Sequence, residues 1–230
     1  MKLRRLVVFY LAVAALLLAG STALADSKDQ AEIRLLQAAQ VINKIMSEEG
    51  GGIPPALLRK AKAVGIFPGM IKGGFILGAS AGWGVIIARL PDGRWSAPAF
   101  YEMGGGSIGL QIGAQSVDLI LVFPTEQGLR GVLQNNVRLG ANMSVAAGPV
   151  GRQAGAALTE ASFTADVYSY SRAKGLFAGV SLDGVGMGLD AETTRNFYGK
   201  AYTAQQLLSG EVPVPPQAQK LIETLNRYSQ

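Results

Sequence analysis

The side chains whose types and spacing could do chemistry fall into three groups. Arg59, Lys60, Lys62 and Lys72 cluster around the apolar Phe67, Met70 and Ile71; Asp118, Asp166, Asp183 and Asp190 supply carboxylates; Ser171 precedes Lys174 by three residues. Basic side chains beside an apolar turn suit an anionic lipid surface, where each charge contributes roughly 1 kcal/mol while the turn enters the interface. On residues alone, a solvated helix face beside a hairpin with buried apolar residues is the simpler account. Acid–base or hydrolytic work by the aspartates needs two of them to converge. Turns and one hydrogen-bonded aspartate within a strand explain the four without convergence.

Two further motifs lose their chemistry in context. Ser171-x-x-Lys174 copies the serine–lysine spacing of penicillin-recognising enzymes, but the S-D-N and K-T-G partners are missing and Gly175 follows at once, which reads as a turn. Gly104, Gly106 and Gly109 satisfy G-x-G-x-x-G, yet they lead into a period-two pattern, whereas a dinucleotide fingerprint must open a helix. Cysteine and histidine are both absent. That excludes disulfides, thiolate nucleophiles, lipid attachment through an N-terminal cysteine, Cys/His zinc sites and any Ser-His-Asp arrangement. No cofactor or metal is implied.

The elements that must position these residues follow one rule. From Gly105 to Ala114 small residues (Gly105, Ser107, Gly109, Gln111, Gly113) alternate with Ile108, Leu110, Ile112 and Ala114, and Val117 to Phe123 then turns apolar on both faces except at Asp118. Such a period means a strand, so Met103 to Phe123 reads as one long strand whose second half is central and buried. Asp118 there must be paired, hydrogen-bonded or protonated. Segments 73–87, 137–147 and 176–189 repeat the pattern of a bulky face and a face of Gly, Ser, Asn or Asp. Strands of this kind build a curved antiparallel sheet or partly closed barrel, because curvature crowds the inner face. Val64 to Phe67 reads as a short strand ending at Pro68-Gly69.

Helices flank this sheet. Leu35, Ala38, Ala39, Ile42, Ile45 and Met46 have helical spacing after Ser27 and Gln30, which fit a capping box. A shorter helix follows Pro54-Pro55. The C-terminal region predicts helices near Glu192 to Tyr198, after Thr203 with Gln206 as its cap, and from Pro215 to Tyr228. The fold class is therefore α+β, with about six to nine strands, in a chain of 230 residues that is 49% hydrophobic and 16% charged.

Lys2, Arg4 and Arg5, the apolar run Leu6 to Leu18 and Ala23-Leu24-Ala25 have the form of a cleaved signal peptide over 1–25, leaving one domain over 26–230 with its core at 53–211. An uncleaved anchor is the alternative, but the run is short for a span. The formal charge of +5 falls with this segment: 18 basic residues then face 16 acidic ones, a net +2. Nucleic acid loses its compositional support.

The stretches KAKAVGIFPGMIKGGFILG, DGRWSAPAFYEMGGGSIGLQIGAQSVDLILVF, LGANMSVAAGPVGR and SYSRAKGLFAGVSLDG closely resemble the SYLF domain, in the order they take there. The resemblance covers roughly Ile53 to Glu211. It implies a non-enzymatic lipid-binding module: eukaryotic relatives bind phosphoinositides and, in some, actin filaments, and bacterial members resemble exported envelope proteins. Carried to this chain, it implies contact with anionic phospholipid headgroups through Lys60, Lys62, Lys72, Arg172 and Lys174, to which the residue pattern adds Arg59 and the apolar Phe67, Met70 and Ile71. The protein is then expected in the periplasm or cell envelope, peripherally on a membrane, with an envelope protein as a possible partner. A structural or protein-interaction module and, further off, a carboxylate-dependent hydrolase are the alternatives.

Protein recovered from the producing cell's envelope fraction is expected to begin at Asp26 by intact mass, because Ala23 and Ala25 are the small residues signal peptidase needs. Recovery of chains retaining Met1 to Ala25 in the inner membrane would overturn this.

Overall fold

The structure, a computed structural model, describes residues 28–47, 52–74, 77–108, 113–135, 137–149, 164–173, 176–177 and 182–229. The signal segment, the cap at Ser27, Lys174 and the middle of the 105–114 alternation lie outside them. Helix α1 occupies 28–46, and α2 is Pro55–Lys60. The strands are β1 (Ala63–Gly74), β2 (Leu77–Ala88), β3 (Ala99–Ile108), β4 (Gly113–Phe123), β5 (Val137–Arg138), β6 (Val145–Ala147), β7 (Val167–Ala173), β8 (Leu176–Phe177) and β9 (Gly186–Leu189). Helix α3 (Glu126–Leu133) follows β4, and α4 (Ala191–Tyr198), α5 (Ala204–Leu208) and α6 (Gln219–Tyr228) close the chain.

The strands form one curled, half-barrel sheet in the order β5-β9-β3-β2-β1-β4-β7-β6, with β8 added to β7. The α+β class and the curved sheet agree with the sequence pattern. Three expectations are corrected. The sheet is mixed, since β6 pairs with β7 in parallel. Met103 to Phe123 is not one strand: it spans β3 and β4, which β2 and β1 separate in the sheet. Pro68-Gly69 does not end a strand either, because β1 runs through it to Gly74.

Two layers of core follow from strand alternation. Val64, Ile66, Val85, Ile87, Phe100, Ile120 and Val122 point to the outer face, where Leu35, Ala38, Ile42 and Ile45 of α1, Leu57 and Leu58 of α2 and Leu221 and Leu225 of α6 cover them. Phe67, Met70, Ile86, Tyr101, Leu119, Leu121 and Phe123 point inward, against Val132 of α3 and Leu207 and Leu208 of α5. Local signals place the helices. Thr125 caps α3 by accepting from Gly128 N at 3.0 Å, Asp190 caps α4 through Thr193 N at 2.9 Å, and Thr203 with Gln206 makes the reciprocal capping box of α5. Arg34 of α1 reaches the same Asp190 at 3.4 Å and lies over the Phe100 ring, so the first helix is tied to the fourth. Burial lowers the Arg34 pKa, and Asp190 opposes that shift.

The glycines of β2 explain how tightly the sheet curls. A Cβ on Gly82 would lie 2.8 Å from Met70 Cγ, and one on Gly84 would run into the Ile66 carbonyl and the Phe67 ring. The inward Phe67 and Met70 thus occupy the room that side chains on β2 would need. Gly84→Ala is expected to cost about 1–3 kcal/mol or more, since a backbone oxygen cannot swing aside. Gly104→Ala, whose nearest neighbour is Ser80 O at 3.6 Å, should stay within about 0.5 kcal/mol. Urea denaturation of both variants checks the pair, and equal costs would contradict this account.

Candidate membrane-contact surface

The site begins at an irregularity in β1. On β4, Phe67 pairs with Leu119 and Met70 with Val117, so Pro68 and Gly69 together oppose Asp118 alone. This is a β-bulge. Proline brings no N–H to the ladder, Gly69 takes a φ of 60° that glycine tolerates, and the Gly69 N–H left over donates to Asp118 Oδ1 at 3.0 Å. Lys44 Nζ, from the last turns of α1, lies 3.9 Å from Asp118 Oδ2. Asp118 is therefore half-buried on the outer face rather than sealed in the core, and its side chain is 23% exposed.

The extra residue shifts the alternation. Phe67 and Met70, three apart, both point inward, and Ile71 points outward. Ile71 is 54% exposed, opposite Ala81 on β2 and Ser116 on β4; Trp83, two residues beyond Ala81 on the same face, is 48% exposed. Residues placed diagonally like this lie within reach of an aromatic side chain. Ala81, Gly104 and Ser116 around them are small and exposed. The helices that cover the outer face leave this half of the sheet open.

The nine residues expected to meet lipid do not form one site. Arg59 is exposed and Lys60 half-buried on α2; Lys62 is held by Glu126 at 2.8 Å. Lys72 is ten residues along β1 from Lys62, which at strand rise is about 30 Å away. Arg172 of β7 stands opposite Asp118, near the Lys72 end. Lys174 falls outside the described residues. Phe67 and Met70 are corrected: both are fully buried in the inner core because the bulge turns them inward, so neither can touch a membrane. Only Ile71 of the apolar three is at the surface. Sequence reasoning placed Trp83 on a bulky face and did not single it out as a contact residue; its exposure depends on the register that sets it opposite Glu102.

The carboxylates serve separate structural purposes. Asp166 accepts from Ser144 N at 3.0 Å and from Ser144 Oγ at 2.7 Å, Asp190 caps α4, Asp118 holds the bulge, and the Asp183 carboxylate lies against Gly140. Among the described residues no group of acidic side chains could hold a metal, and no helix is long and apolar enough to cross a membrane.

Fold and surface together define an α+β domain built on a curled, glycine-lined sheet with one face half open. Residues 104–228 match the family described as Ysc84: Las17-binding protein actin regulator, and the chain belongs to this Ysc84/SYLF family. It is 41% identical over 175 residues to Protein YSC84 of Saccharomyces cerevisiae, covering 75% of this chain and 37% of that protein. It is also 41% identical over 175 residues to LAS seventeen-binding protein 3 of the same yeast, covering 75% of this chain and 38% of that one. SH3 domain-containing YSC84-like protein 1 of Homo sapiens is 37% identical over 179 residues, 77% of this chain and 52% of that protein. The chain thus spans between about a third and a half of these relatives' length.

Removing the bulge clamp separates charge from hydrogen bonding. Asp118→Asn keeps an acceptor for Gly69 N and loses only the weak exposed attraction to Lys44, an expected cost below about 1 kcal/mol. Asp118→Leu leaves Gly69 N without its carboxylate and should cost about 1.5–3 kcal/mol. Chemical denaturation checks this, and a leucine variant as stable as the asparagine one would show that the bulge does not depend on Asp118.

Proposed function

We propose that this protein is a non-enzymatic module that binds anionic, phosphoinositide-like phospholipid headgroups at the surface of a bacterial envelope membrane, exported there through the 1–25 signal segment. The observation that carries the reading is the exposed pair Ile71 and Trp83 on the outer face, at the end of the sheet where β1 carries Lys72 and β7 carries Arg172. Trp83 has the amphipathic character that favours a membrane–water boundary, and Ile71 adds apolar area next to it. Basic residues at the same end supply the attraction to anionic lipid. Arg59, Lys60 and Lys62 belong to the opposite end of β1 and form a separate basic group. The lipid contact is assigned to the Lys72 end of the sheet because, among the described residues, the exposed Ile71 and Trp83 lie there.

The family description favours a second reading. Relatives carry Las17-binding and actin-regulator names, which support a protein partner for the same domain. Those proteins extend well beyond the part shared with this chain, so the partner can belong to the rest of them.

Co-sedimentation with vesicles separates these readings. Binding to phosphatidylglycerol-rich vesicles should exceed binding to phosphatidylcholine and weaken with salt, since at about 0.15 M ionic strength attraction is screened beyond roughly 8 Å. Trp83 emission should shift to the blue on binding. Charge reversal at Lys72, Arg172 and Lys174 should weaken binding more than reversal at Arg59, Lys60 and Lys62, with circular dichroism unchanged in both. Ile71→Ser should remove the salt-resistant part. If neither vesicle type binds while a protein is captured stoichiometrically from the envelope, the lipid reading is wrong and the protein-partner reading stands.

A further inference from the structure

At the level of the bulge a row of residues crosses the outer face of the sheet. Asp118 of β4 stands opposite Pro68 and Gly69 of β1, and Trp83 of β2 lies on their other side, between Val85, which pairs with Ile66, and Ala81, which pairs with Ile71. Trp83 is directly opposite Glu102 of β3, and Glu102 is directly opposite Gly188 of β9. Trp83 is two residues from the outward Val85 and Glu102 two residues from the outward Phe100, which fixes their face. Residues directly opposite on one face have Cβ atoms about 4.5–5.5 Å apart. The indole and the carboxylate therefore stand side by side.

Both side chains are open to solvent. Trp83 and Glu102 are exposed, and so are Ala81 and Gly104, which oppose each other in the next row; with Gly188 they bring at most a methyl group beside the pair. One row the other way, Val85 and Phe100 oppose each other and are buried beneath the helices, so the pair sits where the helical cover ends. Among the described residues the Glu102 carboxylate makes no hydrogen bond and no ion pair. Two cations that α1 brings to this face are engaged elsewhere, Lys44 with Asp118 and Arg34 with Asp190. A surface glutamate by itself needs no explanation. One directly opposite an exposed tryptophan, on the face that would meet an anionic bilayer, does: anionic headgroups repel it, and drawing a carboxylate towards the interface costs hydration. A cation suits both groups. The indole face attracts positive charge through its quadrupole, and the carboxylate adds a charge-assisted hydrogen bond. An ionised carboxylate only accepts, so a primary ammonium, which carries N–H donors, fits this pair better than a trimethylammonium, which carries none.

We propose that Trp83 and Glu102 form a subsite for a primary ammonium group, and that its occupant is the ethanolamine headgroup of a zwitterionic phospholipid. This rests on the lipid reading above, which brings the outer face to a bilayer, and it gives that face a second lipid class. Anionic lipid engages the basic residues of the sheet end, while the ethanolamine headgroup engages the indole and the carboxylate. Ile71, opposite Ala81 and so diagonal to Trp83, adds apolar area beside the subsite. Glu102 then becomes a charge that the bilayer uses, and the face prefers membranes in which the two lipid classes are mixed.

Co-sedimentation with vesicles of constant phosphatidylglycerol content, in which phosphatidylcholine is replaced stepwise by phosphatidylethanolamine, tests the subsite. Binding of the parent should rise about two- to fivefold with the replacement, the size of one exposed cation–π contact. Glu102→Gln should bind both mixtures alike, and Trp83→Leu should lose the preference too, with circular dichroism unchanged in each. Ethanolamine lipids also loosen headgroup packing, which helps any inserting protein; a rise that Glu102→Gln shares with the parent therefore overturns the subsite. Equal binding of the two mixtures by the parent overturns it as well and leaves the anionic-lipid reading standing. If no vesicle binds, titration of the nitrogen-15-labelled protein with phosphoethanolamine and phosphocholine decides. The Trp83 indole should then move with phosphoethanolamine more than with phosphocholine, while the indole of Trp95, only 3% exposed, stays in place. Such shifts without vesicle binding keep the ammonium subsite and overturn the lipid reading, and their absence overturns both.

Discussion

One hydrogen bond sets the geometry on which the sheet depends. Gly69 N donates to Asp118, and this lets two residues of β1 face one residue of β4 without leaving an amide unpaired. In a regular strand, residues three apart such as Phe67 and Met70 would lie on opposite faces. With the extra residue of the bulge, both enter the inner core and fill the room left by Gly84 and Gly82. The curl of the half-barrel is thus a packing consequence: bulky residues on one strand are matched by glycines on the next, and the strands close around them. The bulge also brings the carboxylate to the end of α1, where Lys44 meets it.

The same bulge divides the protein into two halves with different physical character. Towards the α2 end, both faces of the sheet are sealed by helices and large apolar side chains. Beyond it, the outer face exposes Ile71 and Trp83 among the small residues Ala81, Gly104 and Ser116. Buried tyrosines reinforce the sealed half and its edges: Tyr101 donates to Val132 O and Tyr198 to Pro98 O, and burial raises the pKa of both.

Membership of the Ysc84/SYLF family fits a domain whose carboxylates hold turns, caps and the bulge. The yeast relatives share with this chain 175 residues, rather more than a third of their own length. The basic groups at the two ends of β1, about 30 Å apart, can contact different partners, because a strand transmits position without letting the groups converge.

Much of this was legible in the residues themselves. The spacing of Leu35, Ala38, Ile42 and Ile45 and the Thr203–Gln206 capping box are local patterns with local causes, and each produced the helix expected, while the alternation of bulky and small residues gave the curved sheet but not the bounds of its strands. The family motifs were equally readable. Alternation states that two faces exist, yet it does not state which face is covered, where a strand carries an extra residue, or which distant strand lies alongside. Trp83 is exposed because α1 and α6, far from it in sequence, end their cover short of it; Phe67 and Met70 are buried because Asp118, some fifty residues on, accepts the bond that stabilises the bulge. Trp83 and Glu102 are unrelated in sequence and become neighbours only through the register of two strands. Periodicity is a property of one segment, whereas burial and register are properties of pairs of segments, and only the assembled sheet decides them.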